Sequence, residues 1–217
     1  MYIRQNWLDK LERRFGRLAI PNLMTIIVGA MVIVYILSYA AAGAGYSLTS
    51  MLRFDRNLIL EGQVWRIFTF LFLPSSSGIF FVIISLYFYW MIGSTLENQW
   101  GAFSFTVYYL LGAIGAIASG FIAGGTTNSY LNLSLFLAFA LLNPEYRILL
   151  FFFIPVKMKW LALIDGAVLI YSFIIESWPG RLALIMALLN LLVFFTPSFI
   201  DWIKSLVRRY KWKRNFK

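Results

Sequence analysis

The 217-residue chain contains neither cysteine nor histidine. Without cysteine it can form no disulfide bond, no thiolate metal site and no cysteine nucleophile. Without histidine it lacks the commonest metal ligand and the commonest general base in enzymes. We therefore expect no metal ion and no other cofactor, and we expect catalysis by a histidine-activated nucleophile to be excluded.

Charged residues are also scarce, at 13% of the chain, whereas 61% of the residues are hydrophobic. An ordinary soluble domain is nearer half apolar, so the composition predicts an integral membrane protein that is surrounded by a lipid bilayer. The net charge of +10 comes from basic residues that are concentrated in the two tails and one loop. This distribution is typical of membrane topology. The sequence has no recognisable nucleic-acid-binding module, and we expect no nucleic-acid partner.

Six apolar stretches predict an all-α polytopic membrane protein, since a spanning helix needs about 20 largely apolar residues. The stretches cover 23–43, 78–96, 103–124, 129–142, 160–175 and 182–195. The fourth and sixth are short, and they suit a thin or deformed bilayer or the shielding of neighbouring helices. We divide the chain into an amphipathic N-terminal segment (1–20), a membrane domain (21–197) and a basic C-terminal tail (198–217).

The basic residues are distributed unequally between the two predicted membrane faces. Fifteen lie in the tails and the 147–159 loop, and four lie on the opposite side: Arg53, Arg56, Arg66 and Arg181. The positive-inside rule therefore predicts a multi-pass protein with both termini in the cytoplasm, in the plasma membrane if the chain is bacterial. Apolar residues at three- and four-residue intervals predict that each tail also forms an amphipathic helix in the interface plane. These residues are Ile3, Trp7, Leu11, Phe15 and Leu18, and Trp202, Ile203, Leu206 and Tyr210.

The long connection 46–77 is too apolar in its second half for a solvated loop. We expect it to lie at the bilayer surface, with Trp65 in the interfacial aromatic belt. The long side chain of Arg66 would then extend to the polar interface, as snorkelling arginines do.

Several motifs follow one another in a fixed order along the chain. They are Gly62-Gln63-Val64-Trp65-Arg66, Leu96-Glu97 with Trp100-Gly101, the small-residue series Gly112, Ala116, Gly120 and Gly124, and Ile154-Pro155-Val156-Lys157. Together they resemble the rhomboid superfamily of intramembrane proteases and their derlin-like relatives. The resemblance covers about residues 23–195 and implies a six-helix rhomboid-like transmembrane bundle.

The catalytic positions of that family are unfilled in this chain. The resemblance places Ser129 near the protease's nucleophile, but the glycines that flank the serine in the family are absent, and no histidine is available as its base. The positions of the oxyanion contributors fall at Gly78 and Val82, neither of which has a side-chain donor. The resemblance therefore implies a catalytically inactive pseudoprotease, in which Ser129 is a structural hydroxyl and not a nucleophile.

Polar residues within the apolar segments are the remaining candidates. Asp165 could mark a proton or ion path, or it could be structural, either in an ion pair with Lys157 and Lys159 or snorkelling to the interface. We expect Glu97 to pair with backbone at a helix end. The side chains expected to form interhelical hydrogen bonds are those of Asn128, Asn132 and Asn190.

Three functions follow from these observations. The resemblance implies a non-catalytic protein that binds or escorts transmembrane clients, with lateral access between the second and fifth apolar helices. The residues expected at its partner and lipid interface are Trp65, Arg66, Gly93 and Glu97. A conduit for a small solute or protons would use Asp165 with Ser129 and Asn132, and a hydrolase with an atypical site is the third possibility.

Overall fold

The computed structural model describes residues 6–74, 78–150, 154–178 and 180–195. The predicted amphipathic helix of the C-terminal tail lies outside these residues. In chain order the helices are α1 (Asn6–Phe15), α2 (Leu23–Gly43), α3 (Leu48–Leu52), α4 (Arg56–Leu60), α5 (Arg66–Thr69), α6 (Ile79–Trp100), α7 (Ala102–Ala123), α8 (Ser129–Leu142), α9 (Met158–Ile175) and α10 (Gly180–Phe195). Short 3-10 turns cover Gly16–Leu18 and Phe70–Phe72.

Each predicted apolar stretch falls on a helix. Four of these helices, α2, α6, α7 and α9, are long and apolar enough to cross a membrane. The chain is thus an all-α membrane protein in its described part, apart from one hairpin. α8 and α10 are apolar but shorter, so a crossing by six helices stays a prediction.

Contacts at one end of the bundle join the beginning of α2 to the junction of α6 and α7. The backbone N–H of Asn22 donates to Glu97 Oε1 at 2.5 Å, and that of Ile20 donates to Thr106 Oγ1 at 3.2 Å. The carboxylate thereby accepts from a backbone N–H at the N-terminal end of α2, which the helix cannot satisfy internally. The prediction that Glu97 pairs with backbone at a helix end is confirmed.

Contacts at the other end join the 46–77 connection to α7 and α8. The backbone N–H of Arg56 donates to the Gly124 carbonyl at 3.1 Å. The side-chain amide of Asn128 donates to the carbonyls of Leu71 and Leu73 at 3.0 and 2.8 Å. Asn128 is therefore hydrogen-bonded, but its acceptors lie in the connection, so the predicted bond between apolar helices is not the one that it forms. The consecutive helices α2, α6 and α7 therefore alternate in direction.

Small residues allow close helix packing. A Cβ atom at Gly93 in α6 would overlap Met24 of α2, and one at Gly120 in α7 would lie 2.8 Å from the ring of Phe54. The predicted packing role is confirmed for Gly112 and Gly120, whereas Gly124 lies beyond α7 and has no atom within 4 Å of a Cβ built there. Gly93 is buried against α2, so it does not lie on a surface that a partner or lipid could contact, contrary to the prediction.

The N-terminal helix α1 forms as predicted, and it also packs against the bundle, which was not predicted. Leu8 is buried in the core, and α1 packs against α7. Phe15, which was expected on the apolar face, is exposed.

A two-stranded antiparallel hairpin precedes α9, where we predicted only a segment at the interface. It pairs β1 (Arg147–Leu150) with β2 (Ile154–Lys157), placing Arg147 opposite Lys157. Glu145 accepts from Lys157 Nζ and Lys159 Nζ, both at 2.6 Å. The predicted ion pair of these lysines with Asp165 is therefore wrong. Asp165 lies six residues beyond Lys159, about 9 Å further along the helix axis, whereas Glu145 lies beside the base of the hairpin.

Candidate functional site

A cleft of about 480 Å³ opens between α6, α8 and α9. Each helix contributes residues at helical spacing, so each lines the cleft with one face. The lining residues are Phe88, Tyr89 and Ile92 of α6, Ser129, Asn132, Leu133 and Phe136 of α8, and Leu161, Ile164 and Asp165 of α9. Most of the wall is apolar or aromatic, and three polar side chains are placed along it.

Asn132 is the most deeply placed of the polar residues, since only 4% of it is exposed. Its Nδ2 atom is buried and has no acceptor among the described residues. A buried amide without a partner loses its hydration without compensation. The interhelical hydrogen bond predicted for Asn132 is therefore not formed by its Nδ2 within the described part of the chain.

Asp165 is half-buried and makes no hydrogen bond or ion pair with any described residue. At 1.5 Å per residue it lies about 10 Å along the axis from the start of α9, a helix that is long and apolar enough to cross a membrane. A carboxylate within a membrane-spanning helix is costly and usually faces a cavity or a partner. Within the described residues, no group of three or more His, Cys, Asp or Glu side chains is placed to hold a metal ion.

Ser129 is exposed at the beginning of α8, where its backbone N–H donates to Thr127 Oγ1 at 3.4 Å. It lines the cleft with Asp165. Ala183 and Ala187 of α10 line a different cavity.

Gly78 and Val82, which the resemblance places at the oxyanion positions, both have structural roles. Gly78 precedes the first turn of α6, and its carbonyl accepts from the backbone N–H of Val82 at 2.9 Å. Val82 is only 1% exposed and belongs to the hydrophobic core. Neither residue lines the cleft.

A second, much smaller cavity of about 10 Å³ lies between α7, α8 and α10. Asn190 of α10 donates from Nδ2 to the Tyr108 carbonyl at 3.2 Å, which confirms the interhelical bond predicted for it. Its Oδ1 has no donor among the described residues. The hydroxyls of Tyr108 and Ser134 are also hydrogen-bonded to each other beside this cavity. Nothing in the sequence beyond its polarity marked Ser134. The space corresponds to about one water molecule.

The predicted interface residues lie away from the cleft. Half of Trp65 is exposed, and its indole N–H donates to the Met51 carbonyl at 3.4 Å. Arg66 is only 5% exposed, so the prediction that it snorkels is wrong. Its guanidinium donates to backbone carbonyls of the same connection. Among the four predicted interface residues, Trp65, Arg66, Gly93 and Glu97, only Trp65 has an exposed side chain.

An apolar outer face of the 46–77 connection accompanies Trp65. Leu60, Val64 and Phe68 are all exposed, whereas Phe54 and Phe70 are buried and in edge-to-face contact. This two-sided arrangement suits a segment that lies against lipid on one face and the bundle on the other.

No protein-family model matches the chain, and no curated protein is significantly similar to it.

Proposed function

We propose that the protein is a non-catalytic, rhomboid-like membrane protein that binds transmembrane segments of other proteins in the cleft between α6, α8 and α9. The cleft is the observation that carries this proposal. It opens between the second and fifth apolar helices, which is where the family resemblance implies lateral access.

The proposal includes six membrane crossings with both termini in the cytoplasm. The antiparallel contacts at the two ends of the bundle support this arrangement, as does the excess of basic residues in the tails and the hairpin region. α8 would be about 21 Å long, so a local thinning of the bilayer would accompany it.

The walls of the cleft suit a helix better than a soluble ligand. Apolar and aromatic side chains make up most of the lining, and Ile164 at its edge is 59% exposed. In a bilayer, lipid is as apolar as these side chains, so association depends on close packing and on interhelical hydrogen bonds. Asn132 and Asp165 supply groups that can form such bonds. The absence of histidine from the sequence favours a binding role over proteolysis.

A conduit for a small solute or protons is the second candidate, because Ser129, Asn132 and Asp165 line one cleft. The remaining lining residues are apolar or aromatic, and the cleft opens sideways between helices. A flux assay in sealed proteoliposomes separates the two functions. A conduit would conduct with the purified protein alone, and Asp165→Asn would abolish that flux.

Site-specific photocrosslinking in native membranes tests client binding. We expect photoreactive residues at Phe136 and Ile164 to capture the same protein partner, and one at the exposed Ile114 of α7 to capture lipid. Filling the cleft by Leu133→Trp should remove the adducts, whereas Leu110→Trp on the exposed side of α7 should leave them. Capture of lipid alone at both cleft positions would refute client binding.

A further inference from the structure

We infer that the cleft selects transmembrane segments that carry a basic side chain within the membrane, which Asp165 receives. This inference rests on the proposed function and names the chemical class of the client. It goes beyond that function, because a merely apolar groove would accept any segment of suitable shape.

The first support is that Asp165 lacks a counter-ion although lysines lie nearby in sequence. Both Lys157 and Lys159 are held by Glu145 at 2.6 Å. Arg181, which lies beyond the other end of α9, donates to the Ile174 carbonyl at 2.9 Å. The described part of the chain thus leaves the carboxylate in the cleft available to a cation from elsewhere.

The second support is the composition of the walls around it. Asn132 lines the same cleft, and the oxygen of its amide can accept a hydrogen bond from an ammonium or guanidinium group. Phe88, Tyr89 and Phe136 add aromatic rings, which attract cations through their faces. A basic side chain would find a carboxylate, an amide and aromatic surface in one place.

The third support concerns the source of the cation. The apolar segments 23–43, 79–100, 102–123, 129–142 and 160–175 contain no lysine or arginine, and α10 contains only Arg181 in its first turn. A second copy of this chain therefore has no basic residue at mid-membrane depth to offer. The amine of a lipid headgroup lies at the interface and not about 10 Å inside the bilayer. A different protein's transmembrane helix is the occupant that fits.

The test uses the full-length protein in phosphatidylcholine vesicles with a photoreactive residue at Ile164. The probes are synthetic leucine–alanine helices of about 22 residues with a central arginine or a central leucine. We expect the arginine helix to be captured about three- to tenfold more than the leucine helix, in line with measured interhelical polar interactions. Asp165→Asn should bring the ratio close to one. Glu176→Gln, which removes a carboxylate just beyond the C-terminal end of the same helix, should leave it unchanged.

Reversing the charge at position 165 distinguishes a lost interaction from a misfolded variant, because a misfolded protein would not gain a new preference. Asp165→Lys should prefer a helix with a central glutamate over the arginine helix. Equal capture of the arginine and leucine helices by the unmodified protein would overturn the selection and leave client binding intact. A preference that survives Asp165→Asn would also overturn it. Capture of neither helix at Ile164, or adducts only between copies of the chain, would instead refute the proposed function itself.

Discussion

Arg66 is a buried cation that is held by backbone carbonyls. Its Nη1 donates to the carbonyls of Ser50 and Arg53 at 2.7 and 2.8 Å, and its Nε donates to Gln63 Oε1 at 2.7 Å. The two carbonyls lie at the C-terminal end of α3, where they have no partner within the helix and where the helix dipole favours positive charge. Arg66 therefore fixes the fold of the 46–77 connection and is not available to lipid.

We expect Arg66→Leu to lower the free energy of unfolding by about 2–4 kcal/mol, because it removes three charge-assisted hydrogen bonds and leaves carbonyls unsatisfied. Reversible unfolding in mixed micelles measures this difference. The matched control is Arg53→Ala, which removes an exposed guanidinium and should have little effect. Equal losses for the two variants would show that Arg66 has no structural role of this kind.

A second prediction at the residue scale concerns Ser129. Its hydroxyl has no histidine to accept its proton, so serine-directed probes should not label it and purified protein should not cleave transmembrane substrates. Ser129→Ala should leave client capture unchanged within error. Cleavage that disappears in this variant alone would identify the protein as a protease with an unusual base.

At the scale of elements, the contact of α2 with α6 depends on Gly93. Met24 lies on the glycine so closely that any side chain there would displace it. Close approach of this kind is how helices associate where lipid competes equally for apolar surface. Gly93 thus allows the close approach of α2 and α6.

Gly93→Leu should therefore destabilise the bundle by about 1–3 kcal/mol or more through overpacking. Met24→Ala in the same chain should recover part of the loss by making room. Gly29→Leu in α2 is the control, because no atom lies within 4 Å of a Cβ built there. Thermal unfolding of these three variants and of Met24→Ala alone checks the series, and additive losses in the double variant would contradict the contact.

The hairpin before α9 is the other element with a specific anchor. Hydrogen bonds from Lys157 and then Lys159 lower the pKa of Glu145 to about 2, below the ordinary 4.5. Because the folded-state pKa is the lower one, the stabilisation is present above about pH 4.5 and is lost as the pH falls toward 2. The pair is exposed, so the effect is modest and weakens with salt.

Amide exchange in the two strands, corrected for its intrinsic pH dependence, should show this loss of protection as the pH falls from about 4.5 toward 2. Glu145→Gln should lower the protection at neutral pH and flatten its dependence on pH. A pH profile that is the same in both proteins would rule out the anchor.

At the scale of the whole molecule, the proposed topology follows from charge and helix number together. Reporters fused before Met1 and after Lys217 should both read cytoplasmic, and one inserted between Ser47 and Asp55 should read exterior. The reason is that fifteen basic residues lie on the predicted cytoplasmic face and only four lie on the opposite face. Termini on opposite sides would exclude six crossings.

The sequence by itself determined where the apolar helices lie. A helix within hydrocarbon needs a long run of apolar residues, and its backbone hydrogen bonds must form within the helix. Each such helix therefore corresponds to one continuous apolar segment of the sequence. The predicted bounds 23–43 and 129–142 coincide with α2 and α8, and the expected pairing of Glu97 with a helix end also held.

Only the tertiary structure decided which polar groups meet. Arg66 is held by carbonyls at the end of the earlier helix α3, the two strands pair across a turn, and Glu145 binds two lysines that follow the hairpin turn. No local sequence pattern specifies which carbonyl or carboxylate the folded chain brings close to a given cation. For the same reason the sequence could name Ser129, Asn132 and Asp165 as polar outliers, but only the packing of α6, α8 and α9 placed them in one cleft. Hydropathy is a property of each side chain and can be read along the sequence to place the helices. The cleft depends on the distances between helices, which only the folded structure sets.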